Sequence, residues 1–151
     1  MTIEGFARLH NFHESELDYR GRPIISKCSL IKLDLITRLD KSVSLAKEHY
    51  GRDRGKFKIH DFVLDKHSEN SKHYTGEAVD GHFYGLSLYE SVLIGMIAGF
   101  TGIGYYPEAN TPFVHFDIRE QDYITTWLYI HDEYVYDFDI FTERLLMEAD
   151  K

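Results

Sequence analysis

Residues 71–80 read SKHYTGEAVD, and residues 113–119 read FVHFDIR. Neighbouring side chains of a β-strand point to opposite faces of the sheet, so His115 and Asp117 would lie together on one face. The residues that alternate with them would form an apolar face: Val114, Phe116 and Ile118. The same alternation turns Asp80 away from the core. The two stretches therefore predict strands that are anchored on one side and carry an imidazole and carboxylates on the other.

The pattern outside these strands predicts the rest of the fold. Apolar residues recur at three- and four-residue steps over residues 29–49, which predicts a helix with Ser29 as its N-cap and Gly51 after its end. Two further helices are expected at residues 87–98 and 141–149. Short strands are expected between the helices, at residues 57–64, 78–80, 102–106, 113–118 and 123–130. This order predicts an α+β fold in which helices flank a small antiparallel sheet.

The length of 151 residues corresponds to a single domain, residues 1–151. We expect an N-terminal arm over residues 1–28, with a short helix near residues 15–19. A C-terminal tail over residues 131–151 is expected to pack on the domain. Aromatic and acidic residues alternate in residues 134–141, which favours packing, with a partner or dimer contact as the alternative.

Composition excludes several classes of protein. The 17 basic and 25 acidic residues give a net charge of −8 with no basic run, which argues against a nucleic-acid partner. The longest apolar stretch, residues 92–100, is about half of the roughly 20 residues that a membrane span needs. The N-terminus lacks the basic start and apolar run of a secretory signal, so we expect cytoplasmic synthesis. The single cysteine, Cys28, excludes an internal disulfide and a cysteine-based zinc cluster.

A metal site in this chain would therefore combine histidine with carboxylate, and the two opening stretches supply such a set. A hydrolytic zinc site needs three protein ligands and an open fourth position. Two imidazoles and one carboxylate come from His73, Asp80 and His115. Gly76 allows the chain to bend between the first two. The alternative is that these are ordinary polar residues, with His115 hydrogen-bonded to Asp117.

Three motifs together are similar to those of a known superfamily. Ser-x-His-x-x-Gly-x-Ala-x-Asp at residues 71–80 is followed by Gly-Ile-Gly-Tyr-Tyr-Pro at 102–107 and Phe-Val-His-Phe-Asp-x-Arg at 113–119. This pattern resembles the zinc D-alanyl-D-alanine peptidase superfamily, in particular the branch with a His-x-Asp second motif. Members include D-Ala-D-Ala carboxypeptidases, murein endopeptidases and phage endolysins, and Hedgehog signalling domains share the fold.

The resemblance spans residues 11–127 and implies a DD-peptidase/Hedgehog-like fold. It further implies that one Zn²⁺ ion is held by His73, Asp80 and His115. The implied reaction is hydrolysis of an amide bond in the peptides of bacterial peptidoglycan, of either the carboxypeptidase or the endopeptidase type.

This chain departs from the pattern of the superfamily at the position of the general base. Many members place an acidic residue three positions before the last histidine ligand, where this chain has Pro112. Asp117 is then the first candidate for the base, since it shares a face with His115. Alternatively, Asp117 accepts a hydrogen bond from a ligand histidine and fixes its tautomer. Glu108 is a second candidate, and its alternative is a solvated loop carboxylate.

Three residues are candidates for substrate binding. Many members carry an arginine in a turn upstream of the first motif, and here Lys66 or the adjacent histidine would stand in for it. Ser71 would bind substrate or only stabilise its own loop. Arg119 would hold a substrate carboxylate or only pair with Asp117. Two tyrosines would line the peptide groove or pack in the core: Tyr105 and Tyr106.

The resemblance thus implies a zinc-dependent peptidase acting on peptidoglycan peptides. The alternative is a structural or wall-docking protein of this fold that binds zinc and has lost activity, as Pro112 suggests; a metal-free interaction module is a third possibility. Without a signal peptide, the expected setting is a phage lysis protein or virion component that acts on the cell wall.

Overall fold

The computed structural model describes residues 3–62 and 70–151. Helices in these residues are α1 Ile3–Phe6, a 3-10 helix Ile24–Leu30, α2 Leu33–Tyr50, α3 Leu88–Ala98 and α4 Phe138–Met147. None of these helices has both the length and the apolar character that crossing a membrane requires.

The strands among the described residues form a six-stranded sheet. They are β1 Phe57–Asp61, β2 Ala78–Phe83, β3 Gly102–Tyr106, β4 Phe113–Asp117, β5 Thr125–Ile130 and β6 Glu133–Val135. Their spatial order is β1-β2-β4-β3-β5-β6. Neighbouring strands run antiparallel, except that β3 and β5 are parallel. The register places Asp80 and Gly104 on either side of His115, and Trp127 beside Gly104. This row across four strands faces away from the core.

The apolar side of the sheet shares one buried cluster with α2 and α3. Buried α2 residues follow helical spacing: Leu35, Ile36, Leu39, Val43 and Ala46. Helix α3 approaches β4 at Gly95, where a Cβ atom would lie 2.3 Å from Cε1 of Phe116. Phe116 is fully buried and stacks on Phe100 with 4.6 Å between ring centroids. Burying one such side chain contributes about 1.5–3 kcal/mol. The core thereby anchors β4 and leaves His115 on the opposite face.

The α+β class is confirmed, but two helices begin elsewhere than predicted. Ser29 lies inside the 3-10 helix, and α2 starts after Lys32, which makes no side-chain capping bond. The backbone N–H of Lys32 donates instead to the carbonyl of Gly76 at 2.9 Å, a tertiary contact that local pattern does not reveal. Helix α4 starts three residues before position 141 because Asp137 accepts hydrogen bonds from the N–H groups of residues 139 and 140.

The sheet is larger than predicted and mixed rather than purely antiparallel. Strand β2 runs to Phe83 because it pairs with β1, and the tail adds β6 on the edge of β5. The strand predicted at 57–64 ends at Asp61, and its last two positions lie outside the described residues. The strand predicted at 123–130 begins at Thr125. Residues 15–19 are not helical; Leu17 pairs with Pro23 in an isolated bridge.

The N-terminal arm is tied to α2 through one buried carboxylate. The backbone N–H of Asn11 donates to Asp40 Oδ1 at 2.8 Å, and that of His10 donates to Oδ2 at 3.2 Å. Phe6 and Phe12 of the arm are buried in the core. At the other end of the chain, Phe141 of α4 is buried and its carbonyl accepts a hydrogen bond from the Tyr105 hydroxyl at 3.1 Å.

Candidate metal centre

The three predicted ligands converge on one point above β2 and β4. Asp80 and His115 are register partners on these strands, and His73 comes from the turn that leads into β2. One ligand atom from each of the three lies within 4.8 Å of the others. Asp80 Oδ1 is 2.8 Å from His115 Nδ1, and Asp80 Oδ2 is 3.3 Å from His73 Nε2.

The turn that carries His73 is fixed by its surroundings. Gly76 has φ +69°, and a Cβ atom there would lie 1.9 Å from the carbonyl oxygen of Leu30, so only glycine fits. His73 itself is buried, and its Nδ1–H donates to the carbonyl of Phe62 at 2.8 Å. That bond selects the tautomer and leaves Nε2 facing Asp80.

The donor set fits a divalent metal such as zinc. Two imidazole nitrogens and one carboxylate are a known ligand set for a catalytic zinc site. Ligand atoms about 2.1 Å from a tetrahedral ion stand about 3.4 Å apart, close to the 3.3 Å between Asp80 and His73. His115 and His73 are buried, and their ring centroids are 5.0 Å apart at an interplanar angle of 78°. The three side chains therefore lie close enough together to hold one metal ion.

Asp117 lies behind His115 rather than beside the cluster. His115 Nε2–H donates to Asp117 Oδ2 at 3.1 Å. Arg119 donates to the same carboxylate from Nε at 2.8 Å and from Nη2 at 2.6 Å, and also from its backbone N–H at 3.1 Å. Asp117 is fully buried. Burial would raise its pKa, but the hydrogen bonds from Arg119 and His115 hold the pKa well below the usual range. The carboxylate therefore remains ionised.

The same contacts set the charge of His115. Burial would lower the pKa of this imidazole, but hydrogen bonds to Asp117 and Asp80 raise it to about 9. The pKa of Asp80 is held low, because hydrogen bonds from both histidines outweigh its burial. Without a metal, the His115 imidazolium thus bridges two carboxylates. A metal ion would have to displace the proton on Nδ1, since only the deprotonated nitrogen can be a ligand.

A cavity of about 260 Å³ opens over the cluster. Besides the three predicted ligands, its walls include the aromatic residues Tyr106, Trp127, Tyr134 and Tyr136. Its polar walls are formed by Asn70, Ser71, Lys72, Asp117 and Arg119. The cavity is large enough for a short segment of peptide backbone and open to solvent.

The structure brings some of the predicted site residues together and not others. Ser71 and Arg119 line the cavity; Ser71 Oγ accepts a hydrogen bond from the backbone N–H of His73 at 3.3 Å. Glu108 does not line it, and accepts a hydrogen bond from the backbone N–H of His131 at 2.8 Å. Lys66 lies outside the described residues. Of the tyrosine pair, Tyr105 is fully buried in the core.

Sequence reasoning missed several cavity residues, of which Trp127 is the clearest. It stands beside Gly104 on the parallel strand β5, and a Cβ on that glycine would be 2.4 Å from the indole. The alternation of Gly-Ile-Gly at 102–104 was a usable signal, because a glycine on a strand face leaves room for a neighbour's large side chain. The sequence could not show that this neighbour is Trp127, because that depends on β5 lying next to β3 in the sheet.

Residues 63–123 match a family model described as peptidoglycan L,D-endopeptidase MepK. The matched segment holds all three predicted metal ligands together with Asp117 and Arg119. Comparison with curated proteins and with solved structures gives no significant match. The matched family belongs to the zinc D-alanyl-D-alanine peptidase superfamily, and the match confirms the resemblance that the motifs at residues 71–80 and 113–119 carry.

Proposed function

We propose that this protein is a zinc-dependent peptidase that hydrolyses an amide bond in the peptides of bacterial peptidoglycan. The observation that carries the proposal is the convergence of His73, Asp80 and His115 at the floor of an open cavity. The family match independently supports a peptidase that acts on peptidoglycan.

We further propose that the cut lies inside the peptide, as in an L,D-endopeptidase. The description of the matched family supports this type. A carboxypeptidase needs a cation for the terminal carboxylate of its substrate. Among the described residues that line the cavity, the two cations are already paired: Arg119 with Asp117 at 2.6 Å, and Lys72 with Glu77 at 3.3 Å. The pairing of these two cations favours the endopeptidase type; Lys66, the other candidate cation, lies outside the described residues.

Zinc, when bound, would act as a Lewis acid that polarises the scissile carbonyl and lowers the pKa of the attacking water. The protein's part is to present the ligands in the right protonation state. Phe62 accepts the Nδ1 proton of His73, so that Nε2 is directed at the metal position. Asp117 accepts the Nε2 proton of His115, so that Nδ1 is directed there.

For Asp117 we propose this positioning role rather than that of general base. Each of its oxygens accepts a hydrogen bond from Arg119, and Oδ2 also accepts one from His115. A carboxylate engaged in this way is a weak proton acceptor, since its pKa is strongly lowered. Glu108, half exposed and paired with His131 at 3.3 Å, contributes no wall of the cavity.

The decisive experiment is mass spectrometry of the products formed from defined muropeptides, with and without a chelator. We expect cleavage between an L- and a D-residue, abolished by the chelator and restored by about one equivalent of Zn²⁺. A His82→Gln variant is the matched control for loss of a histidine near the site, and it should cleave as the wild type does. His82 lies on the same sheet face two residues beyond Asp80 but outside the cluster. Release of terminal D-alanine alone would overturn the endopeptidase assignment.

A structural or wall-docking role with retained zinc is the second candidate. One observation favours it: Pro112 stands where many members of the superfamily carry an acidic base. Stoichiometric zinc together with no product from any muropeptide would establish this role in place of catalysis.

A further inference from the structure

Tyr106 is a wall residue of the cavity that the metal cluster does not use. It ends β3, and its ring is held from two sides on the face of the sheet that carries the cluster. Phe113 stacks on it with 4.3 Å between centroids and an interplanar angle of 9°, and Tyr129 packs against it at 5.6 Å. The ring is therefore held in place at the cavity wall, where Trp127 and Tyr134 interact with its hydroxyl.

The direction of the hydroxyl proton follows from its neighbour Trp127. The indole Nε1 of Trp127 lies 3.4 Å from the Tyr106 hydroxyl oxygen. An indole N–H is only a donor, so the tyrosine oxygen accepts this bond and the proton of the hydroxyl must point elsewhere. Burial raises the pKa of Tyr106, and the hydroxyl keeps its proton at neutral pH.

Trp127 also connects this hydroxyl to the cluster. The indole lies over Gly104 and packs against His115 with 5.1 Å between ring centroids. Arg119 lies over the same indole at 5.2 Å, which fixes the ring from a second side. Trp127 therefore contacts both the hydroxyl of Tyr106 and the ring of His115, one of the proposed metal ligands.

The two cationic donors on the cavity wall, among the described residues, are already paired. Arg119 is committed to Asp117, and Lys72 Nζ lies 3.3 Å from Glu77. Hydrolysis of an amide places negative charge on the carbonyl oxygen, and a donor already aimed at that position stabilises the transition state more than the ground state.

On the basis of the proposed function, we propose that Tyr106 is a catalytic residue whose hydroxyl donates a hydrogen bond to the carbonyl oxygen of the scissile peptide. Trp127 is its positioning residue. No proton is transferred in this role: the hydroxyl bond strengthens as charge develops on the oxygen and weakens as the products form. Loss of one such donor lowers kcat by about 10²–10³-fold in other hydrolases.

The test compares Tyr106→Phe with Tyr129→Phe in the zinc-loaded protein. Tyr129 is the matched control because it contacts the Tyr106 ring but does not line the cavity. We expect Tyr106→Phe to retain zinc and KM within about threefold and to lose kcat by about 10²–10³-fold. We expect Tyr129→Phe to cleave at the wild-type rate. A Tyr106→Phe variant with wild-type kcat would overturn the proposal.

Two readouts do not depend on turnover. The first is the affinity, by calorimetry, for a phosphinate peptide whose oxygens imitate the developing charge; Tyr106→Phe should weaken it by about 10²-fold. The second uses the fact that Trp127 is the single tryptophan of the sequence. Its one indole N–H resonance should shift upfield in Tyr106→Phe and stay in place in Tyr129→Phe. Wild-type affinity of the Tyr106→Phe variant for the phosphinate would overturn the role of Tyr106 alone. A wild-type protein that neither cleaves muropeptides nor binds the phosphinate would overturn the proposed function as well.

Discussion

The carboxylate of Asp117 lies directly against Gly102: a Cβ atom on that glycine would come within 2.2 Å of Oδ1. The two residues are register partners on β4 and β3. The side chain of Asp117 thus extends over the neighbouring strand where only a glycine leaves room for it. From there its oxygens reach His115 and Arg119. A glycine, which has no side chain, therefore controls how His115, a proposed metal ligand, is held.

Gly102→Ala should weaken zinc binding without removing any ligand. The added Cβ displaces the Asp117 carboxylate, so His115 loses the acceptor that fixes its tautomer. Loss of such a partner typically costs 10–100-fold in metal affinity. Competition with a chromophoric chelator measures the change. Ile103→Val is the control, because this substitution shortens a buried side chain on the opposite face of β3. The variant should lose about 1 kcal/mol of folding stability and keep the wild-type zinc affinity. A folded Gly102→Ala protein with wild-type affinity would contradict the coupling.

Asp117→Asn separates the two roles open to this residue. An amide cannot accept both side-chain donors of Arg119, and it is a poorer acceptor for His115 Nε2–H. If Asp117 positions His115, we expect zinc affinity to fall by about 10–100-fold along with activity. Equilibrium dialysis and turnover on a defined muropeptide provide the two measurements. Wild-type zinc affinity combined with lost turnover would instead support the general-base role.

Much of this site could be predicted because its residues lie on strands of regular alternation. His115 and Asp117 share a face as the period of two requires, and Val114 and Phe116 are buried behind them. The convergence of His73, Asp80 and His115 could be predicted from residue type together with the glycine at position 76, which lies close to Leu30 in the structure. These features depend on local sequence.

Other features depend on which strands become neighbours, and local sequence does not encode this. Trp127 reaches His115 only because β5 adds to β3 in parallel. The start of α2 depends on a hydrogen bond between Lys32 and Gly76, which are distant in sequence. Arg119 had two possible partners in the sequence analysis, a substrate carboxylate and Asp117, and the structure shows hydrogen bonds to Asp117.

Each of the three ligand substitutions should remove stoichiometric zinc. We expect His73→Ala, Asp80→Ala and His115→Ala to retain less than a tenth of the wild-type metal content after dialysis, by plasma mass spectrometry. Zinc present at about 100 times its dissociation constant stabilises a protein by about 2.7 kcal/mol. Chelation should therefore lower the Tm of the wild type by about 5–10 °C and leave the three variants unchanged. His82→Gln should behave as the wild type. Full zinc content in all three variants would refute the ligand assignment.

His60 should make the protein less stable in mild acid. Its Nε2 lies 2.7 Å from His82 Nδ1, and its ring packs against Tyr19 and Phe113. Burial, together with the charges of His82 and Lys58, lowers the pKa of His60 to about 4. In the unfolded chain this histidine has its ordinary pKa of about 6.5. Between these two values the unfolded state binds more protons, so the free energy of unfolding falls as the pH drops from about 6.5 to 4 and is unaffected above.

His60→Gln should remove that part of the pH dependence. For the metal-free protein, linkage gives a loss of about 2 kcal/mol from pH 7.5 to pH 5 that the variant should not show. Urea unfolding at the two pH values, with a chelator present throughout, measures it. His49→Gln, which replaces an exposed histidine near the end of α2, is the matched control and should keep the wild-type slope. Equal slopes for His60→Gln and the wild type would mean that His60 is protonated as easily in the folded protein as in the unfolded chain.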